Sequence, residues 1–155
     1  VQAVPPSKPE SGRIIAIDYG RKRIGLALSD PLRLTAQPLT TLARVNREED
    51  IARLRDICRE NSAKLIIVGH PLHLSGEVGE MADEAARFAS RLRKHLGIPV
   101  ELLDERLTTW EARQTRAKGS SSRSPKPIDD LAAAILLREY LELEPLPPSA
   151  ADEAR

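Results

Sequence analysis

The sequence predicts an α/β fold, a mixed sheet of five strands with helices on both faces. Two observations carry this. Near the start, two apolar runs, the first of them β-branched, are joined by a turn too short for anything but an antiparallel pair. Further along, continuous apolar runs alternate with stretches whose apolar residues recur every three or four positions, the signature of strands alternating with helices. The 155 residues suit one domain better than two at roughly 100 to 200 residues each.

The elements follow in order. Arg13 to Asp18 (RIIAID) reads as a strand covered on both faces, and Arg23 to Asp30 (RIGLALSD) follows it after a glycine-containing turn. A third strand is expected over Ala36 to Leu42, where Pro38 calls for an edge position because proline cannot donate to a ladder. Glu48, Glu49 and Asp50 place negative charge at a helix start, and Ile51, Leu54, Ile57 and Cys58 form its stripe. Lys64 to Val68 is the next strand, followed by a loop from Gly69 to Gly79. Met81, Ala85, Phe88 and Leu92 mark a second helix, with Gly97 placed to stop it before a strand over Ile98 to Leu103. Thr108 or Thr109 can cap a helix to about Lys118, and a last helix covers about Asp129 to Leu143. The order is βββαβαβαα, a three-strand antiparallel meander followed by two strands expected to run parallel.

Residues 1–12 and 144–155 hold six of the twelve prolines and no periodic pattern, and read as disordered tails flanking a single domain over 13–143. GSSSRSPKP at 119–127 reads as a loop. Cys58 is the one cysteine, so an internal disulfide framework is excluded and a reducing, cytoplasmic setting fits best. No apolar run approaches the 20 or so residues of a membrane span, and membrane partners are not expected. Aromatic residues are only 3% of the chain, which argues against a binder of single strands built on stacking platforms.

Three acidic positions from distant parts of the chain fall at element ends. Asp18 closes a strand expected to be central, where a carboxylate is costly without a partner; it also suits a turn cap before Gly20. Asp104 and Glu105 follow the strand ending at Leu103, at the carboxyl edge where ligands of α/β sheets gather. Asp129 and Asp130 open the last helix, where either serves as a cap. Asp129 shares a line with Ala133, Leu136 and Tyr140, and Asp130 one with Ala134, Leu137 and also Arg138, which favours Asp129 for the face against the sheet. Such a set can hold one or two hard divalent cations, Mg²⁺ or Mn²⁺, through oxygen. A pair of ions of this kind supports phosphodiester hydrolysis without a histidine or cysteine nucleophile.

The near-neutral total, 24 basic against 23 acidic residues, hides a regional split. Residues 13–47 carry a local +5, with Arg21, Lys22 and Arg23 in the first turn. Residues 111–128 carry +4 through Arg113, Arg116, Lys118, Arg123 and Lys126, while 138–155 carry −3. Basic segments beside an acid cluster fit nucleic acid held by its phosphates, recognised more by shape than by sequence. Arg106, next to Glu105, can orient that carboxylate or clamp a phosphate. Each basic segment alone also suits a solvated surface. Trp110 fits core packing before base stacking.

At this point the residues match a known family. AIDYGRKRIGLALSD (16–30), IIVGHPLHLSGEVG (66–79), ELLDERLTTWEA (101–112) and PIDDLAAAILLREYL (127–141) resemble, in order and spacing, the four motif blocks of the YqgF/RuvX family. Its members are named as Holliday junction resolvases and as pre-16S rRNA nucleases. The resemblance implies an RNase H-like fold, with the first strand between the meander and the last two strands, and metal-dependent cleavage of structured nucleic acid. It places the family's catalytic acids on Asp18, Glu105 and Asp129, with Asp104 and Asp130 able to hold a metal through water. The second block depends on Gly69, His70, Pro71, Gly76 and Gly79, and with Gly20 forms the expected substrate loop. His70 and His73 depart from the family's usual apolar and small polar residues, and are read as extra phosphate donors or solvated groups before a metal pair.

Two other readings remain. A catalytically silent nucleic-acid-binding or ribosome assembly factor would share the basic segments. The Asp-x-Gly turn at Asp18 to Gly20 also resembles a phosphate loop of ATP-binding phosphotransferases, which need a second domain that these residues leave no room for. A junction resolvase cuts two strands and implies a homodimer; a monomer fits rRNA processing.

Overall fold

A computed structural model describes residues 11–71, 78–105 and 129–143. Its elements are β1 (Arg13–Asp18), β2 (Arg23–Ser29), β3 (Ala36–Ala43), α1 (Arg47–Glu60), β4 (Ala63–His70), α2 (Glu80–Leu96), β5 (Val100–Asp104) and α3 (Asp129–Leu143). The expected tails and the expected helix over 108–118 lie outside the described residues. The five strands form one sheet in the order β3-β2-β1-β4-β5. β1, β2 and β3 pair antiparallel, and β1, β4 and β5 pair parallel. This is the RNase H-like arrangement of a meander joined to a parallel pair.

Each strand's burial follows from this position. β1 is central, so Ile14, Ile15, Ala16 and Ile17 are all fully buried, as a continuous apolar run requires. Ile15 and Ile17 pack with Ile66, Val68, Leu54 and Phe88 under α1 and α2, whereas Ile14 and Ala16 pack with Leu65, Ile67, Leu103, Ala133 and Leu136 under α3. β3 is the edge strand that Pro38 requires, and its ladder skips Leu39 between Thr40 and Pro38, a bulge at the proline. The β1–β2 turn depends on Gly20, where a Cβ would lie 2.4 Å from the Arg23 carbonyl oxygen.

The helix ends differ in detail from the sequence reading. Asn46 caps α1, its side chain accepting from the Glu49 amide at 2.9 Å; the three acids expected to start the helix lie in its first turn. Asp50, one of them, is buried and pairs with Arg44. α2 ends at Gly97 in the left-handed conformation (φ 67°), which glycine adopts without strain. β4 runs two residues past Val68, because Gly69 pairs with Leu103 and His70 with Asp104. Gly69 and His70 are thus strand residues and not the start of a loop. β5 begins at Val100, the partner of Ile66, and Ile98 precedes it.

Candidate functional site

β1, β4 and β5 run parallel, so Asp18, Gly69 and Asp104–Glu105 reach one carboxyl edge of the sheet. Strand alternation then divides them. Ile14 and Ala16 face α3, and so does Asp18. Leu65 and Ile67 face α3, and Gly69 continues their row. Glu101 accepts a hydrogen bond from the Tyr140 hydroxyl of α3 at 2.8 Å and Leu103 packs in the same core, so the row of β5 that leads to Glu105 is the α3 row. Asp104 and His70 fall in the opposite rows, with Leu102 and Val68, on the face of α1 and α2. The sheet thus separates the expected acids: Asp18 and Glu105 share a face, and Asp104 does not.

Gly69 explains how the Glu105 carboxyl group reaches across the strand that separates it from Asp18. Their strands flank β4, which puts their backbones about two strand spacings, roughly 10 Å, apart. The Glu105 carboxyl group leans into the gap: a Cβ on Gly69 would lie 3.3 Å from its Cδ and 3.5 Å from its Oε1, and 3.2 Å from Leu136 Cδ2 of α3. A residue with no side chain on the middle strand and the longer of the two acids on the outer strand together bring the carboxylate over β4. The space at Gly69 was expected to admit substrate backbone; Glu105 and Leu136 occupy it.

α3 runs antiparallel to β5, since Leu136 lies beside Glu105 while Tyr140 reaches back to Glu101. Its first residue therefore lies toward and beyond the carboxyl edge. Asp129 shares the helix row of Ala133, Leu136 and Tyr140, all buried against the sheet; its side chain lies outside the described residues. Asp130 is half-buried, and its Oδ1 accepts from the Leu131 amide at 2.9 Å. Among the described residues no three His, Cys, Asp or Glu side chains are grouped closely enough to share an ion. Asp18 and Glu105, hard oxygen donors on one face of one sheet edge, fit a divalent cation.

The basic residues of the first turn divide in the same way. Arg23 lies in the β2 row of Ala27, on the α3 face and at the same edge as Asp18, and it is engaged in an interaction of its own. Lys22 is exposed. Arg21 turns toward α2, where its Nε donates to both Glu84 oxygens at 3.0 and 3.2 Å and its guanidinium meets Glu80 at 3.4 Å; Glu84 first and then Glu80 hold its pKa above the usual value. Arg21, expected to meet nucleic acid, is thus matched by acids of its own chain. His70 is half-buried at the end of β4, Pro71 follows it, and Gly79 precedes α2 as its cap residue. Gly76, His73, Arg106, Trp110, Arg113, Arg116, Lys118, Arg123 and Lys126 lie outside the described residues.

A family model for RuvX, described as Holliday junction resolvase, matches residues 12–143. The chain belongs to the RuvX family. Among relatives, a Koribacter versatilis protein named "Putative pre-16S rRNA nuclease" is 42% identical over 133 residues, which cover 84% of this chain and 87% of that protein. One of the same name from Syntrophus aciditrophicus is 41% identical, over 90% of this chain and 97% of its own. Among solved structures, Thermus thermophilus RuvC in complex with a Holliday junction superposes with a TM-score of 0.56 at 14% identity, covering 85% of this chain and 96% of RuvC. The fowlpox virus Holliday junction resolvase gives 0.51 at 17% identity, covering 84% and 98%. At these identities the two structures speak for the fold, which RuvX shares with the RuvC-like resolvases.

One feature of this RuvX chain escaped the reading of the sequence. On the α1/α2 face, Tyr19, Arg44, Arg47, Glu84, Arg87 and Arg91 line a cleft of about 340 Å³. Arg44 and Arg47 belonged to the basic region expected near the site, but Arg87 and Arg91 sit in a helix that was read only through its apolar stripe. Their spacing of four, one helical turn, was the available signal.

Proposed function

We propose that the chain is a metal-dependent endonuclease that hydrolyses phosphodiester bonds in structured nucleic acid, with the 5′ end of the 16S rRNA precursor as its substrate. The observation that carries this reading is the placement of the Glu105 carboxylate over Gly69, on the face of Asp18 and at the edge where α3 begins. Family membership, and the names of relatives at about 40% identity, support a nuclease.

Asp18, Glu105 and Asp129 would hold Mg²⁺ or Mn²⁺, one or two ions. Such ions supply positive charge that activates a water and stabilises the leaving oxygen of an in-line displacement. The chain's own residues set the conditions. Gly69 leaves the space, Leu136 covers one side of the Glu105 carboxyl group, and Arg23 adds positive charge on the same face for a phosphate. Asp130 is the nearby reserve acid; Asp104, on the other face, is not proposed as a ligand. The products would carry a 5′-phosphate and a 3′-hydroxyl. No described helix is long and apolar enough to cross a membrane, and the proposed setting is the cytoplasm.

Labelled precursor fragments and four-way DNA junctions, incubated with Mg²⁺ or Mn²⁺ and with wild type or Asp18→Asn, test this. Metal-dependent cutting of the precursor that the substitution abolishes is expected. Cutting of the junction alone would reassign the substrate to recombination and call for a dimer. Binding of either substrate with no cutting would replace the enzyme by a silent binder.

A further inference from the structure

The arginine cleft lies on the opposite side of the sheet from the acids, yet at the same edge. Tyr19 follows Asp18 directly and packs toward the α1/α2 core, so adjacent residues of β1 face the two sites. The cleft's arginines divide into two kinds. Arg44 is structural: its Nε meets Asp50 Oδ2 at 3.0 Å, its NH1 donates to the Gly20 carbonyl, and its guanidinium lies over the rings of Tyr19 and Phe88 at 5.0 and 5.5 Å. Arg87 pairs with Asp83 at 2.7 Å, and Glu84 is engaged by Arg21. Among the described residues, no ion pair or hydrogen bond is seen for the side chains of Arg47 and Arg91, on α1 and α2. Two guanidinium groups without counter-ions at one polar cleft suit the oxygens of a phosphate, which their planar forks bind with two donors at once. A nucleobase has no platform here, because the Tyr19 ring is already taken by Phe88, at a centroid distance of 5.2 Å, and by Arg44. The cleft therefore suits backbone phosphate better than a free nucleotide.

We infer that Arg47 and Arg91 hold a backbone phosphate of the nucleic-acid substrate in this cleft, so that the substrate straddles the sheet edge with its cleavage point on the α3 face. This rests on the nuclease reading for the identity of the substrate.

The test uses the full chain carrying Asp18→Asn to prevent cutting, and follows binding of the labelled rRNA precursor fragment and the four-way junction across a series of salt concentrations. Adding Arg47→Gln with Arg91→Gln is expected to weaken binding about ten-fold and to reduce the slope of log affinity against log salt by about two. Arg59→Gln with Lys94→Gln, which removes the same charge from the far ends of α1 and α2, should do neither. Equal losses from both pairs, or none from the first, would overturn the inference, as would a failure of the chain to bind either substrate. Binding of inorganic pyrophosphate that needs Arg47 and Arg91, with nucleic-acid binding unaffected, would make the cleft a small-anion site and overturn it too. The two readings fail separately: metal-dependent cutting by the otherwise wild-type chain with no arginine effect removes only the cleft, whereas arginine-dependent binding without cutting removes only the nuclease.

Discussion

The two faces of the sheet's carboxyl edge are built on opposite plans. On the α3 face, the Glu105 carboxyl group lies over Gly69 in the row next to that of Asp18, and small residues such as Ala133 let the helix sit close. On the α1/α2 face, positive groups from two helices line a cleft beside a half-buried Tyr19 that packs on the buried Phe88. The first arrangement, as proposed, would concentrate like charge and gain from a cation. The second distributes charge, neutralising part of it internally and leaving Arg47 and Arg91 at the rim. Sequence-adjacent residues, Asp18 and Tyr19, serve different ends because a strand sends neighbours to opposite faces.

The comparison breaks most sharply at the acids. Asp18→Asn or Glu105→Gln should reduce cleavage on the order of 10³-fold or more, since ion-borne charge stabilisation is worth several kcal/mol, while thermal unfolding and salt-dependent binding change little. Asp104→Asn, on the other face, should keep most of the activity; a loss equal to that of Glu105→Gln would contradict the division of faces.

Gly69→Ala comes next. The added methyl must displace the end of Glu105 or Leu136 by a few tenths of an ångström, and a flexible carboxyl end gives more readily than a packed leucine. Single-turnover assays should show cleavage falling about 10- to 100-fold, with a stability cost near 1 kcal/mol by denaturant titration. A change in stability without one in rate would place the strain at Leu136 instead.

On the arginine face the expected effects are on stability. Arg44→Ala leaves Asp50 buried with the Val45 amide but without its counter-charge, and should cost about 2 to 3 kcal/mol, read from the urea midpoint. Cys58, beneath the same core, has its thiol pushed up to about 11 by burial, so at pH 8 a thiol reagent should label the unfolded chain and spare the native one.

The smallest effect lies away from both sites, at Asp30. The Thr35 amide first, and the Leu34 amide with it, hold its carboxyl below the ordinary value. Its contribution is therefore present above the unfolded pKa near 4 and disappears as pH falls through the folded one. Asp30→Ala should lower the melting temperature slightly at pH 7, and the difference from wild type should shrink in acid.

Much of this was legible in the residues. Continuous β-branched runs mark β1 and β4 because both are covered on two faces, and Pro38 marks the edge because it lacks a donor. The acids at strand and helix ends were visible, as was the helical row that favours Asp129. The choice between Asp104 and Glu105 was not legible from spacing alone: it depends on which face each position takes, which needs the register with Gly69 and Leu103. The pairing of Arg21 with Glu84 and the lining of one cleft by Arg47 and Arg91 were hidden for a related reason. Both depend on how α2 lies against the β1–β2 turn and α1, which no local pattern encodes.

The Tyr140 hydroxyl bond to Glu101 has a consequence for how the site keeps its alignment. A helix that slips by one residue carries each side chain about 1.5 Å along and 100° around its axis, enough to ruin the proposed ion-binding arrangement. Tyr140 works as an index pin, fixing the axial and rotational setting of α3 from its far end, on the same strand that leads to Glu105. One contact at the last turns of α3 thus also sets where the helix begins relative to the carboxyl edge.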